Sequence, residues 1–105
     1  MSLTFTLSEY KKDGEVLFSY NITHNLAEMA RQAGLGCLWH PEAAFAWEIA
    51  DQIERGLIDL VCNKERYEQY NPENGWGSWG DLVVFAATAL QACRNHPKAY
   101  IEADR

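Results

Sequence analysis

The chain has 105 residues, which suits one domain and is too short for two independent cores. Its hydrophobic content of 48% excludes a disordered chain, and no apolar run approaches the ~20 residues that span a bilayer. Fifteen acidic residues against nine basic ones give a net charge of −6, which opposes direct nucleic-acid binding because that binding needs a positive field. We therefore predict a single soluble domain, residues 1–105, without direct contact to membranes or nucleic acid.

The N-terminal segment and the cysteines indicate a reducing compartment. Met1 to Phe5 lacks the basic region and long apolar core of a secretion signal, so we expect a cytoplasmic protein with reduced cysteines. The three cysteines and three histidines show neither Cys-x-x-Cys nor His-x-x-x-His spacing. We predict no disulfide, no metal site and no cofactor.

Apolar and polar residues alternate in two N-terminal segments, Leu3 to Leu7 and Val16 to Tyr20, as they do in half-buried strands. Lys12-Asp13-Gly14 between them has turn chemistry, with Gly14 expected at positive φ. These segments predict a β-hairpin. A lone hairpin is marginal in water, so it must pack on other elements.

Apolar spacing predicts two helices after the hairpin. Thr23 is expected to cap the first helix, and Gly34 to end it. The second is expected to begin at His40-Pro41, because proline is favoured at the first helical position, and Gly56 is a candidate for a break or kink. The predicted core stripe of the second helix is Phe45, Ile49, Ile53, Leu57, Leu60 and Val61.

The most apolar helix follows a capping box made by Ser78 and Asp81 and runs from Leu82 to about Arg94. Asn95-His96-Pro97 should stop it, and Ala99 to Glu102 can return as a third strand beside the hairpin. The predicted fold class is α+β: an N-terminal hairpin, with or without this third strand, packed on about three helices including a central one near residues 80–94.

The second helix also carries a polar and partly apolar outer side. Its predicted acids are Glu42, Glu48, Asp51, Glu54 and Asp59, opposed only by Arg55. Trp47 and Ile58 lie eleven residues apart, nearly three turns, and form a line off the core stripe. Such a line either contacts another subunit or protein, or is covered by the chain's own hairpin and loop. We expect a homo-oligomer.

The segment Asn71 to Gly80 holds two of the four tryptophans and three of the seven glycines. Tryptophan offers a flat apolar face with one N–H donor, and glycine lets backbone N–H groups approach another molecule. We predict a recognition loop; the alternative is that its turn formers and tryptophans only close the end of the core. The candidate ligand-binding residues here are Asn71, Asn74, Trp76 and Trp79, with Tyr70 upstream and Trp39 as a second aromatic edge.

A second polar motif, Asn21 to Asn25, surrounds the start of the first helix. There, free N–H groups and the helix dipole favour an anion, so we take Asn21, Thr23, His24 and Asn25 as ligand-binding candidates. The alternative is that these residues only cap the helix and that His24 bonds a neighbouring carbonyl. Together the two motifs predict a composite site for a nucleotide-like small molecule, without catalytic residues. A small hydrolase using His24 as base is a third hypothesis.

Three segments carry a resemblance to a known family. These are Asn-Ile-Thr-His-Asn-Leu-Ala-Glu-Met-Ala with Ala-Gly-Leu (21–35), Tyr-Asn-Pro-Glu-Asn-Gly-Trp-Gly-Ser-Trp (70–79), and Leu, Phe and Ala-Cys before Pro-x-Ala-Tyr-Ile (82–101). The pattern resembles a family of small uncharacterised phage and prophage proteins, which implies a protein made in the cytosol of an infected or lysogenic bacterium.

Phage proteins of this size commonly act by stoichiometric binding, and this analogy shapes the functional hypotheses. The first is sequestration of a host immune signal, such as an ADP-ribose derivative or a cyclic nucleotide. The alternative is an acidic protein-binding inhibitor of a host defence protein.

Overall fold

The chain forms an α+β fold, as predicted, in which a three-stranded antiparallel sheet packs on helices. The computed structural model describes residues 1–9 and 14–105. The strands are β1 (Ser2–Ser8), β2 (Val16–Thr23) and β3 (Tyr100–Asp104), in the order β2-β1-β3. The N-terminal hairpin and the third strand are therefore confirmed. The predicted turn residues Lys12 and Asp13, on which the φ of Gly14 depends, lie outside the described residues.

The central strand β1 supplies the sheet's contribution to the core. Leu3, Phe5 and Leu7 are fully buried, as their alternation with polar residues predicts. Phe5 pairs with Tyr20 of β2, and its ring packs edge-on against Phe85 with 6.1 Å between ring centroids. One face of the sheet thus lies against a helix.

Four α-helices complete the described part of the fold: α1 (Ala27–Gln32), α2 (Trp47–Cys62), α3 (Lys64–Glu68) and α4 (Trp79–Asn95). Short 3-10 turns lie at His24–Leu26 and Gly36–Leu38. The helix α4 is central: its buried residues are Leu82, Phe85, Ala86, Ala89, Ala92 and Cys93. No described helix combines the length and apolar character needed to cross a membrane.

The predicted start of the second helix at His40-Pro41 is wrong, because α2 begins at Trp47. The preceding residues pair with the edge of β3 instead: Ala46 N–H donates to Ala99 O at 2.9 Å, and Ile101 N–H donates to Ala44 O at 2.9 Å. Backbone groups that pair with a strand are not available to a helix, so proline at the apparent first position did not decide the boundary.

This later start changes which residues belong to the core stripe of α2. Glu42 and Phe45 lie before the helix. Two predicted stripe residues are exposed, Phe45 by 39% and Val61 by 48%. The others follow the prediction: Ile49, Ile53 and Leu60 are buried, and Leu57 is half-buried. Glu48 in the first turn of α2 binds the segment before the helix: its carboxylate accepts the N–H groups of Ala44 at 3.1 Å and Phe45 at 2.9 Å.

Gly56 does not break α2, which runs continuously past it. A Cβ at this position would lie 2.7 Å from Leu35 Cδ2 and 3.0 Å from the backbone oxygen of Ala33. Glycine is therefore needed for the close approach of the segment after α1 to α2, not for flexibility.

Candidate functional site

Thr23 caps the start of the first helical segment, as predicted. Its Oγ1 accepts the N–H of Asn25 at 3.2 Å, and the N–H of His24 donates to Met1 O at 3.3 Å. The segment begins as a 3-10 turn before α1. It ends at Gly34, which has a φ of 81°, and the N–H of Leu35 closes this end by donating to Ala30 O. Two of the N–H groups that an anion would need are thus bonded within the chain.

The tryptophan–glycine loop, residues 71–80, is held in shape by its own asparagines. Asn74 Oδ1 accepts the N–H of Trp76 at 2.9 Å, and Asn71 Oδ1 accepts the N–H of Trp79 at 2.8 Å. Gly77 has a φ of 103°, a backbone conformation that residues with a side chain rarely adopt. Asn71 and Asn74 therefore fix the backbone of the loop.

The two polar motifs meet in space although about fifty residues separate them. The side-chain amide of Asn25 donates to the backbone oxygen of Trp76 at 3.3 Å. At Gly77 a Cβ would lie 2.8 Å from Thr23 Cγ2 and 3.1 Å from Leu26 Cγ, so the loop rests directly on the helix start.

A shallow groove of about 250 Å³ lies at this junction, and we call it the Trp76 groove. It is lined by Tyr20, Asn21, Ile22, Thr23, Leu26, Trp76, Gly77 and Asp81. The Trp76 side chain is 72% exposed and stands at its rim. Asn21 directs its amide N–H groups to the hydroxyls of Ser2 and Thr4, both at 3.0 Å.

The charge of the groove comes from one carboxylate. Asp81 belongs to the capping box of α4, in which Ser78 Oγ accepts the N–H of Asp81 at 3.3 Å and donates to its carboxylate at 3.2 Å. No lysine or arginine is among the lining residues. The groove therefore disfavours a phosphate and favours groups that carry N–H donors.

Comparison of the chain with protein-family models, curated proteins and solved structures finds no match. The assignment of this groove as a functional site therefore rests on its own geometry.

Two of the predicted aromatic residues serve the core. Trp79 Nε1 donates to Leu60 O at 3.0 Å, and this bond joins the start of α4 to the end of α2. The centroid of the Trp79 ring lies 5.0 Å from Lys64 Nζ. Tyr70 is half-buried against the core. Neither residue lines the Trp76 groove.

His24 and Trp39 form a pair beside the groove. Trp39 is only 3% exposed, packs edge-on against Phe85 at 5.8 Å, and donates its Nε1–H to His24 Nδ1 at 3.2 Å. Since an indole can only donate, Nδ1 is the acceptor and the ring proton lies on Nε2. The partner of His24 is thus an indole rather than the carbonyl of the alternative hypothesis.

Cys37, which is partly buried, and Cys93, which is buried, are not activated as nucleophiles. Burial raises the pKa of the Cys37 thiol to about 11 and that of Cys93 to about 12, so both thiols stay protonated near neutral pH. Among residues 1–9 and 14–105, no three histidine, cysteine or acidic side chains converge as a metal site requires.

Sequence reasoning missed half of the groove lining. Tyr20 was assigned only to a strand, Ile22 and Leu26 only to the apolar stripe of the first helix, and Asp81 only to a cap. The helical assignment of Ile22 is wrong, because Ile22 lies in β2 and pairs with Leu3 of β1. The predicted roles of Tyr20, Leu26 and Asp81 are real, so their second role could be found only from the contact between the loop and the helix start.

Proposed function

We propose that this protein is a non-catalytic binding protein that holds the planar ring of a nucleotide-like small molecule in the Trp76 groove. One observation carries the proposal: the indole of Trp76 is 72% exposed on a loop whose backbone is fixed by side-chain hydrogen bonds. A large apolar ring that is exposed to water on a backbone held in place can stack on a ligand, and stacking contributes about 1–3 kcal/mol per base-like ring.

The size and charge of the groove indicate which part of such a ligand it takes. Its volume of about 250 Å³ lies just below the ~300–1,000 Å³ typical of ligand pockets, so it suits a ring rather than an entire nucleotide. Asp81 can accept N–H groups from a base edge and would repel a phosphate at close range. In this arrangement the base stacks on Trp76 and any phosphate points to solvent.

Sequestration fits the residues better than turnover does. His24 does not line the groove, and its Nδ1 already accepts the indole N–H of Trp39 at 3.2 Å. Asp81 is the only ionisable carboxylate in the lining, so no acid–base pair is in place for hydrolysis. By the phage-protein resemblance, the ligand class is a host immune signal such as an ADP-ribose derivative or a cyclic nucleotide.

Titration calorimetry with adenosine, ADP-ribose derivatives and cyclic nucleotides tests the proposal directly. Trp76→Ala should weaken binding about tenfold or more, the equivalent of roughly 1.4 kcal/mol, whereas Trp47→Ala, another exposed tryptophan away from the groove, should leave it unchanged. Equal affinities of these two variants, or no heat with any of the ligands, would reject the groove as the site. Recovery of intact ligand after the protein is denatured separates sequestration from hydrolysis.

A second function, docking of a host protein, is favoured by the exposed side of α2. Trp47, Asp51, Glu54, Ile58 and Val61 follow one another at alternating spacings of four and three residues, and we call this line the α2 seam. Trp47, Ile58 and Val61 are exposed by 60%, 56% and 48%. The seam therefore has apolar ends and an acidic middle.

The charges of the seam select among partners. Arg94 of α4 lies 3.1 Å from the Asp51 carboxylate and 3.4 Å from that of Glu54, so a guanidinium already fits between them. Two seams from two copies of this chain would bring carboxylates together, whereas a basic helix would not. This argument favours a basic protein segment over self-association through this side.

Binding of a purified host partner would test the second function. Glu54→Lys should abolish binding of the partner. The control Glu65→Lys, which reverses the charge of an exposed residue of α3, should leave binding intact. Equal loss in both variants would indicate only non-specific attraction to an acidic protein. Sedimentation analysis of the same variants tests the expected homo-oligomer separately.

A further inference from the structure

A second concave site lies beside α1, and we call it the basic cleft. Its volume is about 310 Å³, and it is lined by Ala27, Glu28, Arg31, Gly36, Trp39 and His40. We propose that the basic cleft binds a small organic anion, meaning a carboxylate or phosphate attached to a ring or a short apolar body. It shares no lining residue with the Trp76 groove, so the two sites can be tested independently.

Two basic side chains line this cleft, and a third, Arg105, contacts one of them. Arg31 comes from α1 and His40 from the loop before α2, and both line the cleft. Arg105, which follows β3, places its guanidinium against the His40 ring, with Nη1 3.2 Å from Nε2 and in contact with Nδ1. Arg31, His40 and Arg105 therefore lie close together in a chain that has only nine lysines and arginines against fifteen acids.

The one acid in the cleft is already neutralised. Glu28 accepts three hydrogen bonds from the Arg31 guanidinium, at 2.7, 2.9 and 3.1 Å. These bonds hold the pKa of Glu28 below its ordinary value, so the carboxylate is ionised and paired at neutral pH. The Glu28–Arg31 pair therefore carries no net charge, and the excess positive charge is that of Arg105 and, when protonated, His40.

Arg105 and His40 lack a counter-ion of their own. Within the described residues, no carboxylate lies within 4.0 Å of either side chain. A guanidinium can only donate hydrogen bonds, so an imidazole beside it must act as acceptor or, if protonated, repel it. An anion with two oxygens would accept from both groups at once and remove this repulsion.

The rest of the lining suits an apolar body attached to that anion. Ala27 and the edge of the largely buried Trp39 supply apolar surface, and a Cβ at Gly36 would meet no atom within 4 Å. The space beside Gly36 is therefore open. Its volume of about 310 Å³ matches a single substituted ring at the small end of ligand pockets.

An NMR titration of the whole chain tests this proposal, with phenyl phosphate and benzoate as anionic probes and benzyl alcohol as the uncharged comparison. We expect saturable shifts of the Gly36 amide and the Trp39 indole N–H with the anions. Benzyl alcohol should bind at least about tenfold more weakly, because it cannot make the charge-assisted hydrogen bonds of the anions. Equal binding of alcohol and anions, or shifts that never saturate, would overturn the anion site.

Two variants and two controls locate the site. Arg105→Gln should weaken binding of the anions about fivefold or more, because it removes the unpaired guanidinium. The control Arg55→Gln, which changes an exposed arginine of α2, should leave binding unchanged. Gly36→Leu should block the cleft without changing its charge, and Gly36→Ala shows that the position accepts a side chain, since nothing lies near its Cβ. Unchanged binding in Arg105→Gln or in a folded Gly36→Leu protein would reject the cleft. Retained anion binding in Trp76→Ala would show that this site does not depend on the Trp76 groove.

Discussion

The contact between the tryptophan–glycine loop and the helix start can be tested by comparing Gly77→Ala with Gly75→Ala. Both glycines have positive φ, 103° and 76°, so alanine introduces backbone strain at both, of about 1–2 kcal/mol. Only at Gly77 would the new Cβ also collide, at 2.8 Å from Thr23 Cγ2 and 3.1 Å from Leu26 Cγ. Leu26 is fully buried and cannot swing away.

The collision adds an overpacking cost of about 1–3 kcal/mol, so we expect Gly77→Ala to lose about 2–5 kcal/mol and Gly75→Ala about 1–2 kcal/mol of unfolding free energy. Urea denaturation followed by far-ultraviolet circular dichroism measures both without depending on tryptophan fluorescence. Gly77→Ala should also weaken ring binding in the Trp76 groove, whereas Gly75→Ala should affect it little. Equal losses in the two variants would mean that the loop does not rest on the helix start, and the groove would lose its basis.

Two further substitutions test the packing and the ionisation of the core. Gly56→Ala should destabilise the fold by about 1–2 kcal/mol despite the gain of about 1 kcal/mol in helix propensity, because its Cβ would lie 2.7 Å from Leu35 Cδ2. The control Gly80→Ala, whose Cβ has no contact under 3.7 Å, should be neutral or stabilising. The opposite order of stability would refute the close approach of Leu35 to Gly56. Burial and then the hydrogen bond to Asp59 raise the pKa of Tyr67 above its ordinary 10.0, so the stabilisation it gives is complete below about pH 10 and is lost as pH rises through the folded-state value. The urea midpoint should therefore fall between about pH 8 and about pH 10.5, and it should fall less in Tyr67→Phe than in the unmodified protein. An equal fall in both proteins would refute the assignment.

Local patterns predicted the elements whose form is decided by their own residues. The alternation of Leu3, Phe5 and Leu7 with polar residues appears in the structure as one buried face of β1. The Ser78–Asp81 pair caps α4 at the expected place, and Gly34 ends the first helical segment at positive φ. In each case the deciding interaction joins residues a few positions apart, which is the range that a single sequence exposes.

The boundary of α2 could not be predicted in the same way. Proline at position 41 favoured a helix, but the backbone of Ala44 to Ala46 bonds to Ala99 and Ile101, more than fifty residues later. A strand edge that must find partners outweighs a weak local preference for helix. The same reason explains Gly56, whose role depends on Leu35 rather than on neighbours within α2.

The candidate sites show the same division. The two motifs were predicted from their own composition, and their meeting through Asn25 and Trp76 supports the composite site that was expected from them. The basic cleft was not predicted, because no spacing in the sequence relates Arg31 to His40 or to Arg105. Convergence of basic side chains from three segments is a property of the fold alone.

Trp76 and Trp79 are three residues apart in the tryptophan–glycine loop, and their side chains differ in exposure and in partners. Trp79 turns inward and bonds the backbone of Leu60, so it does what a packing residue does. Trp76 stays 72% exposed, although burying that much indole would stabilise the fold by on the order of 3 kcal/mol. Its backbone is nevertheless held from two sides, through Asn74 and Asn25, so the exposure is not that of a loose chain. An exposed indole on a backbone held in this way is what the proposed stacking of a planar ligand on Trp76 requires.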